Sequence, residues 1–182
     1  MDLIAGTDEV GRGCLAGPVV AAAVILKKRI DNLKDSKALS PKIRSELAKK
    51  ILDNSYYGFG LVSNQKIDEI NILNASLLAM KRAILNLPIK PTLVLVDGIH
   101  KPDLEISMRA IIGGDSSEDA ISAASIIAKV FRDDLMIKYE KKYPGFDFQS
   151  NKGYGTKYHL QALKDFGSCP IHRKTFKGVP TT

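Results

Sequence analysis

The stretch Ile4-Ala5-Gly6-Thr7-Asp8-Glu9-Val10-Gly11-Arg12-Gly13 decides how the rest of the chain is read. Leu3 to Thr7 is apolar enough for a buried strand, and two adjacent carboxylates stand at its end. An arginine between two glycines follows at once, a loop able to bring backbone N–H groups and a guanidinium against a phosphate. Gly17 to Leu26 is small and β-branched and is expected to be a second strand. The short glycine-bearing link between the two suits an antiparallel pair.

Beyond this pair, Ser40-Pro41 reads as an N-cap followed by proline at the first helical position. Ile43, Leu47 and Ile51 then recur at helical spacing through Asp53. Ser55 to Val62 is expected as a third strand, forming a meander with the first two. Asn64 to Ile70 reads as a short helix and Ile72 to Leu87 as a long one, with Asn71 and Asn74 at its opening, where capping is the default. Thr92 to Val96 is a continuous apolar run ending in Asp97-Gly98, the pattern of a fully buried strand. Ile106 to Ile112 is a further short strand, closed by Gly113-Gly114-Asp115. Ala120 to Tyr143 is the longest helix, with an almost uncharged first half. Phe146 to Tyr154 is a glycine- and aromatic-rich loop, Tyr158 to Phe166 a last helix, and the tail from Cys169 is basic. The expected fold class is α/β, a mixed sheet flanked by helices with a C-terminal helical segment, in a single domain over residues 1–182.

With 182 residues and 45% hydrophobic content the chain can bury a sizeable core. Its net charge of +7 favours a polyanionic partner, nucleic acid first. Cys14 and Cys169 are far apart and in no CxxC pattern, so neither a zinc site nor a disulfide framework is expected, and a reducing cytoplasmic setting fits. No signal peptide is expected, and no apolar run is long enough to span a bilayer.

Three carboxylate sites end three separate strands: Asp8-Glu9, Asp97 and Asp115. Ligand sites gather at strand ends in open α/β sheets. Four converging carboxylates repel one another and raise each other's pKa unless a cation relieves them. Oxygen ligands without histidine or cysteine select Mg²⁺ or Mn²⁺ over zinc. Two such ions about 4 Å apart can serve phosphodiester hydrolysis. Asp8 and Glu9 are neighbours in a strand and should point to opposite faces. They can share one site if the strand ends, twists or bulges there.

Thr7-Asp8-Glu9-Val10-Gly11-Arg12-Gly13 with Ala16-Gly17-Pro18 resembles the type 2 ribonuclease H family, bacterial ribonuclease HII. The resemblance continues, in order, through Asp35-Ser36-Lys37-Ala38-Leu39-Ser40, Val96-Asp97-Gly98, Gly114-Asp115, the run Ser122 to Asp133, and Lys152-Gly153-Tyr154-Gly155-Thr156. It implies an RNase H-like fold and a metal-dependent endonuclease acting on nucleic acid; a monomer is the default expectation for the chain. Such an enzyme cuts the RNA strand of RNA/DNA hybrids, and cuts 5′ to ribonucleotides embedded in duplex DNA, leaving 3′-hydroxyl and 5′-phosphate ends. Its four acids map to Asp8, Glu9, Asp97 and Asp115, holding two Mg²⁺ or Mn²⁺ ions. Asp133 and Asp134 are rivals for the fourth place; Asp115 is preferred because it follows a strand and precedes the buried helix. Gly11, Arg12 and Gly13 are then the reader of the 2′-hydroxyl and phosphate, Tyr154 stacks on a sugar, and Lys37 contacts phosphate.

Several residues have readings of their own. Ser122 and Ser125 are expected to satisfy local carbonyls. Lys129 and Arg132 face either nucleic acid or solvent. Arg173 to Lys177 is expected to be a basic phosphate-contacting face, and His159 and His172 to be isolated surface or structural residues. Two other classes of function stay open: a non-catalytic nucleic-acid-binding module of the same fold, and a phosphatase with Asp8 or Asp97 as nucleophile.

Overall fold

The structure, a computed structural model, describes residues 3–33 and 40–180. Its strands are β1 Ile4–Val10, β2 Val19–Leu26, β3 Ser55–Val62, β4 Leu93–Asp97 and β5 Met108–Ile111. They form one mixed sheet in the order β3-β2-β1-β4-β5. The first three strands are the expected antiparallel meander, while β4 and β5 run parallel to β1. β1 is therefore the strand at which connectivity changes direction.

β1 is longer than the apolar pattern indicates. It continues regularly through Asp8 and Glu9 to Val10, because β2 goes on pairing with it as far as Val10 opposite Val20. Its pairing with β4 stops at Thr7 opposite Val96. The last three residues of β1 thus stay paired on the β2 side but are unpaired with β4, and Glu9 and Val10 run past its last residue, Asp97.

The helices are α1 Pro41–Asp53, α2 Asn64–Leu85, α3 Gly114–Ser117, α4 Asp119–Lys142, α5 Phe148–Asn151 and α6 Lys157–Phe166. Ser40 caps α1 by accepting the Ile43 N–H. The two helices expected between 64 and 87 are one element with a kink at Asn71 (φ 65°, ψ 167°). The Asn71 side chain accepts the Asn74 N–H and so caps the second segment. The short α3 and α5 lie in stretches whose glycines and turn residues read as loop.

The sheet is covered on both faces, which is why every residue of β2 except Leu26 is buried. On one face Ala75, Ala79, Met80 and Ala83 of α2 meet Val19, Ala21, Ala23, Val94 and Val96. On the other, Ala123, Ala124 and Ile127 of α4, with Ile51 of α1, meet Ala22 and Val24. The start of α4 lies directly on β1: a Cβ on Gly6 would collide with the Ala120 and Ile121 backbone, so this close approach requires glycine. Fully burying a large aliphatic side chain contributes about 1.5–3 kcal/mol, so these two layers supply most of the fold's stabilisation.

A third apolar cluster, with Leu15, Met136, Phe146, Phe148, Leu163 and Ile171, docks α6 and the C-terminal segment onto the second half of α4. The segment is also tied to α2. Asp68 accepts the Lys174 and Thr175 N–H groups, and Asn64 donates to the carbonyls of Pro170 and His172. His159 and His172, expected as isolated residues, are a buried pair with Nε2 atoms 2.9 Å apart. Their surroundings determine the tautomers. His159 Nδ1 is 2.8 Å from the Tyr154 carbonyl and must donate to it, so its Nε2 is an acceptor. His172 Nε2 donates to that atom, and His172 Nδ1 accepts the Cys169 N–H. Every ring nitrogen is satisfied with both rings neutral, and an extra proton on His159 Nε2 removes the acceptor of the bond between the rings.

Burial, followed by the charge of the other ring, pushes the pKa of His172 down to about 4; burial also lowers that of His159. Below pH 6.5 the unfolded histidines take up protons that the folded pair refuses, so stability falls as pH drops from about 6.5 towards 4. Urea midpoints across this window should fall less steeply for His172→Gln than for the wild type, from a lower starting stability at pH 7. Parallel slopes would contradict the relay.

Candidate active site

Where β1 overshoots β4, a cavity of about 400 Å³ opens. Asp8, Glu9, Val10, Arg44, Asp97, Asp115, Ser125, Ile126 and Lys129 line it. The structure therefore brings Asp8, Glu9, Asp97 and Asp115 to one place. Asp8 is buried at the crevice, and Asp97 follows Val96, the last β4 residue paired with β1. Asp115 enters on α3, directly after the turn that follows β5, and is also buried. Of the ways expected for Glu9 to share the site, a bulge is not used, since β1 keeps regular register with β2 through Val10, where the strand ends. Ladder pairing with β4 stops at Thr7 opposite Val96, Asp97 is the last residue of β4, and Asp8, Glu9 and Asp97 all line the cavity.

The acids are unevenly supported. Asp8 Oδ1 accepts the Glu9 N–H at 2.7 Å, and the Ser125 hydroxyl bonds to the same carboxyl. Asp97 Oδ1 accepts the Gly114 N–H at 2.8 Å, which ties the end of β4 to the start of α3. Ser122 donates to the Asp115 and Glu118 carbonyls, satisfying local backbone as expected. Ser125, given the same reading, instead faces Asp8. Glu9 is paired with the half-exposed Arg12 at 3.0 Å. Burial, then the charge of Glu9 and, less, that of Asp97, push the Asp8 carboxyl up to about 8. The Ser125 hydroxyl and the Glu9 N–H only partly offset this.

Such a donor set, all oxygen and carrying an uncompensated buried acid, fits a divalent cation of the Mg²⁺ or Mn²⁺ type. Among the described residues no three acid, histidine or cysteine side chains are already set around one point to hold an ion. Asp97 is engaged by Gly114 and Glu9 by Arg12.

Two loops stand beside the acids. In Gly11-Arg12-Gly13, Gly11 has φ 93°, and a Cβ there would strike the Arg132 guanidinium, so both conformation and space require glycine. Tyr154 lies next to Gly13: a Cβ built on Gly13 would stand 4.0 Å from the tyrosine ring. The Tyr154 hydroxyl bonds to Cys14, its N–H donates to the Asn151 carbonyl, and its own carbonyl accepts from His159. The ring is held at both ends yet remains 41% exposed. Lys129, paired with Asp133 at 2.8 Å, lines the acid cavity and stands 6.0 Å from the Tyr154 ring centroid. That pairing engages Asp133 outside the cavity lining. Lys37 lies outside the described residues.

Two expectations are overturned. Arg132 and Arg173 face neither solvent nor substrate; both are fully buried and donate to backbone carbonyls. A charge-rich tail reads as a solvated surface, and nothing local marks which of its cations is inside. Arg44 was not singled out in the sequence, since a basic residue on an amphipathic helix carries no signal that its helix ends at an acidic cavity.

Comparison with known proteins bears on the same residues. The family model described as Ribonuclease HII matches residues 5–179. Ribonuclease HII of Pelagibacter ubique is 54% identical, covering 98% of this chain and 98% of its own. Ribonuclease HII of Pediococcus pentosaceus is 52% identical over 99% of this chain and 71% of its own. The crystal structure of ribonuclease H2 from Pyrococcus horikoshii superposes with a TM-score of 0.82 at 31% identity, covering 96% of this chain and 94% of that one. Among the described residues no helix is long and apolar enough to cross a membrane.

The raised Asp8 pKa makes a signed prediction for the metal-free protein. Between about 3.8 and about 8 the folded chain keeps a proton that the unfolded chain has released, so stability falls as pH rises through that window. Asp8→Asn should raise the Tm measured in chelator at pH 8, by about 2–4 °C per kcal/mol of relief. At pH 4 the variant and wild type should nearly coincide. An equal Tm at pH 8 would contradict the assignment.

Proposed function

The chain belongs to the ribonuclease HII family and is an endoribonuclease of the ribonuclease H type, and we propose that it cuts 5′ to ribonucleotides embedded in duplex DNA and within the RNA strand of RNA/DNA hybrids. The products are 3′-hydroxyl and 5′-phosphate ends. The observation that carries this reading is the convergence of Asp8, Glu9, Asp97 and Asp115 on one cavity with Asp8 left uncompensated. In this reading those four residues hold two Mg²⁺ or Mn²⁺ ions, and the enzyme works as a cytoplasmic monomer.

The chemistry such ions supply when bound is acidification of the attacking water and neutralisation of the departing 3′ oxygen. The rest falls to the chain itself. Ser125 and the Glu9 N–H keep the Asp8 carboxyl oriented, and the Gly114 N–H does the same for Asp97. Lys129 and Arg44 bring positive charge to the cavity wall, suited to the flanking phosphates. Arg12 is exposed enough to leave Glu9 for a phosphate, which frees Glu9 for the centre. Backbone groups of Gly11, Arg12 and Gly13 read the 2′-hydroxyl, the feature that separates a ribose from its DNA neighbours. Tyr154 offers its exposed face to the adjoining sugar, and Lys37 contacts phosphate. The net charge of +7 supports retention of the duplex through its backbone.

On a duplex with one ribonucleotide, Asp97→Asn should lose more than ~100-fold in kcat with Mg²⁺ present. Changes to groups that merely orient a metal ligand already cost about 10–100-fold. Full activity would overturn the metal-site assignment. Tyr154→Ala should weaken kcat/KM by about tenfold or more, in line with aromatic contacts to nucleotides, while cutting at the same phosphodiester. An unchanged value would remove Tyr154 from the substrate surface.

A further inference from the structure

Arg132 and Arg173 carry an inference that rests on the proposed role of the Gly11-Arg12-Gly13 loop. Both side chains are fully buried, and among the described residues neither is in a salt bridge. Arg173 donates to the carbonyls of Gly17 (3.0 Å), Arg12 (2.8 Å) and Gly11 (2.6 Å). Arg132 donates to those of Pro18 (3.0 Å), Lys152 (2.8 Å) and Ala16 (3.0 Å). Burying a guanidinium without an acid is a costly route to stability, and an apolar side chain of similar volume would often serve as well. What a guanidinium adds is direction, since its N–H groups form a rigid planar fork.

The direction has a consequence at the loop. In a trans peptide the C=O of one residue and the N–H of the next point opposite ways. With the Gly11 and Arg12 carbonyls turned inward onto Arg173, the N–H groups of Arg12 and Gly13 are turned outward. Among the described residues these two N–H groups have no protein acceptor. They emerge beside Glu9 and the Tyr154 ring. Arg132 couples the second loop to the first: it packs against Gly11 and holds the Lys152 carbonyl, two residues before Tyr154.

We propose that Arg173, with Arg132 bracing the neighbouring loop, is a positioning residue that aims the Arg12 and Gly13 amides at the ribonucleotide. Cleavage therefore depends on the C-terminal segment although that segment does not touch the reacting phosphate. Loss of the aim should appear in the chemical step, where a small misplacement is costly, and leave general duplex binding intact.

The test compares full-length wild type, Arg173→Lys, Arg173→Met and Gly13→Ala. It measures kcat and KM on a duplex with one ribonucleotide and Kd for the same duplex in all-DNA form. Gly13 has room for a methyl group, so its variant tests the loop directly. The proposal expects kcat to fall about tenfold in Arg173→Lys and further in Arg173→Met, with the all-DNA Kd unchanged. If the Arg173 variants do not fold, Asp68→Ala loosens the segment from α2 and should show a milder fall in kcat, again with the all-DNA Kd unchanged. Folded Arg173 variants with normal kcat, beside an impaired Gly13→Ala, overturn the positioning role alone. A fall in kcat matched by an equal loss of all-DNA binding also overturns it, as general damage. An unimpaired Gly13→Ala overturns the reading of the loop, and the positioning role with it.

Discussion

The overshoot of β1 past β4 is the constraint on which the rest of the site depends. By staying paired with β2 to Val10 after its pairing with β4 has stopped at Thr7, β1 carries Asp8 and Glu9 to the crevice beside Asp97 at the end of β4. That arrangement lets two consecutive residues serve one cavity despite strand alternation. It also buries Asp8 against like charges, which raises its pKa to about 8. The site is electrostatically unfavourable as it stands, and that cost is what a divalent cation would relieve in the proposed reading.

Around this crevice the stabilising layers have separate tasks. The α2 layer and the α4–α1 layer hold the sheet, and glycine at position 6 lets α4 lie against β1 so that Ser125 reaches Asp8. The third cluster works differently. It seats α6 and the tail, satisfies the histidine pair, and through Arg132 and Arg173 sets the carbonyls of both loops beside the acids. Polar groups buried with every hydrogen bond made specify one geometry more sharply than apolar packing does.

Much of the architecture was legible in the sequence because it rests on local patterns. The Ser40-Pro41 start, the apolar run before Asp97, the uncharged half of α4 and the meander all follow from caps, periodicity and short links. The four acids could be nominated because each lies at or just beyond the end of a strand pattern, and the structure places them around one cavity, with Asp115 carried on α3 rather than on a strand. What stayed hidden depends on partners far away in sequence. β1 extends to Val10 because β2 pairs with it, and Arg132 and Arg173 bond carbonyls 20 to 162 residues away. His159 and His172 read as isolated because neither carries a sign of the other. Lys37 lies outside the described residues, so its role rests on the resemblance.

The central claim is that Asp8 belongs to a cation site and not to a merely buried acid. Its carboxyl pKa, followed by carbon-13 NMR in the full-length protein with and without Mg²⁺, tests this most directly. The account predicts a value near 8 in chelator that falls below neutrality when Mg²⁺ is added. A value unmoved by the ion, or already ordinary in its absence, would contradict it.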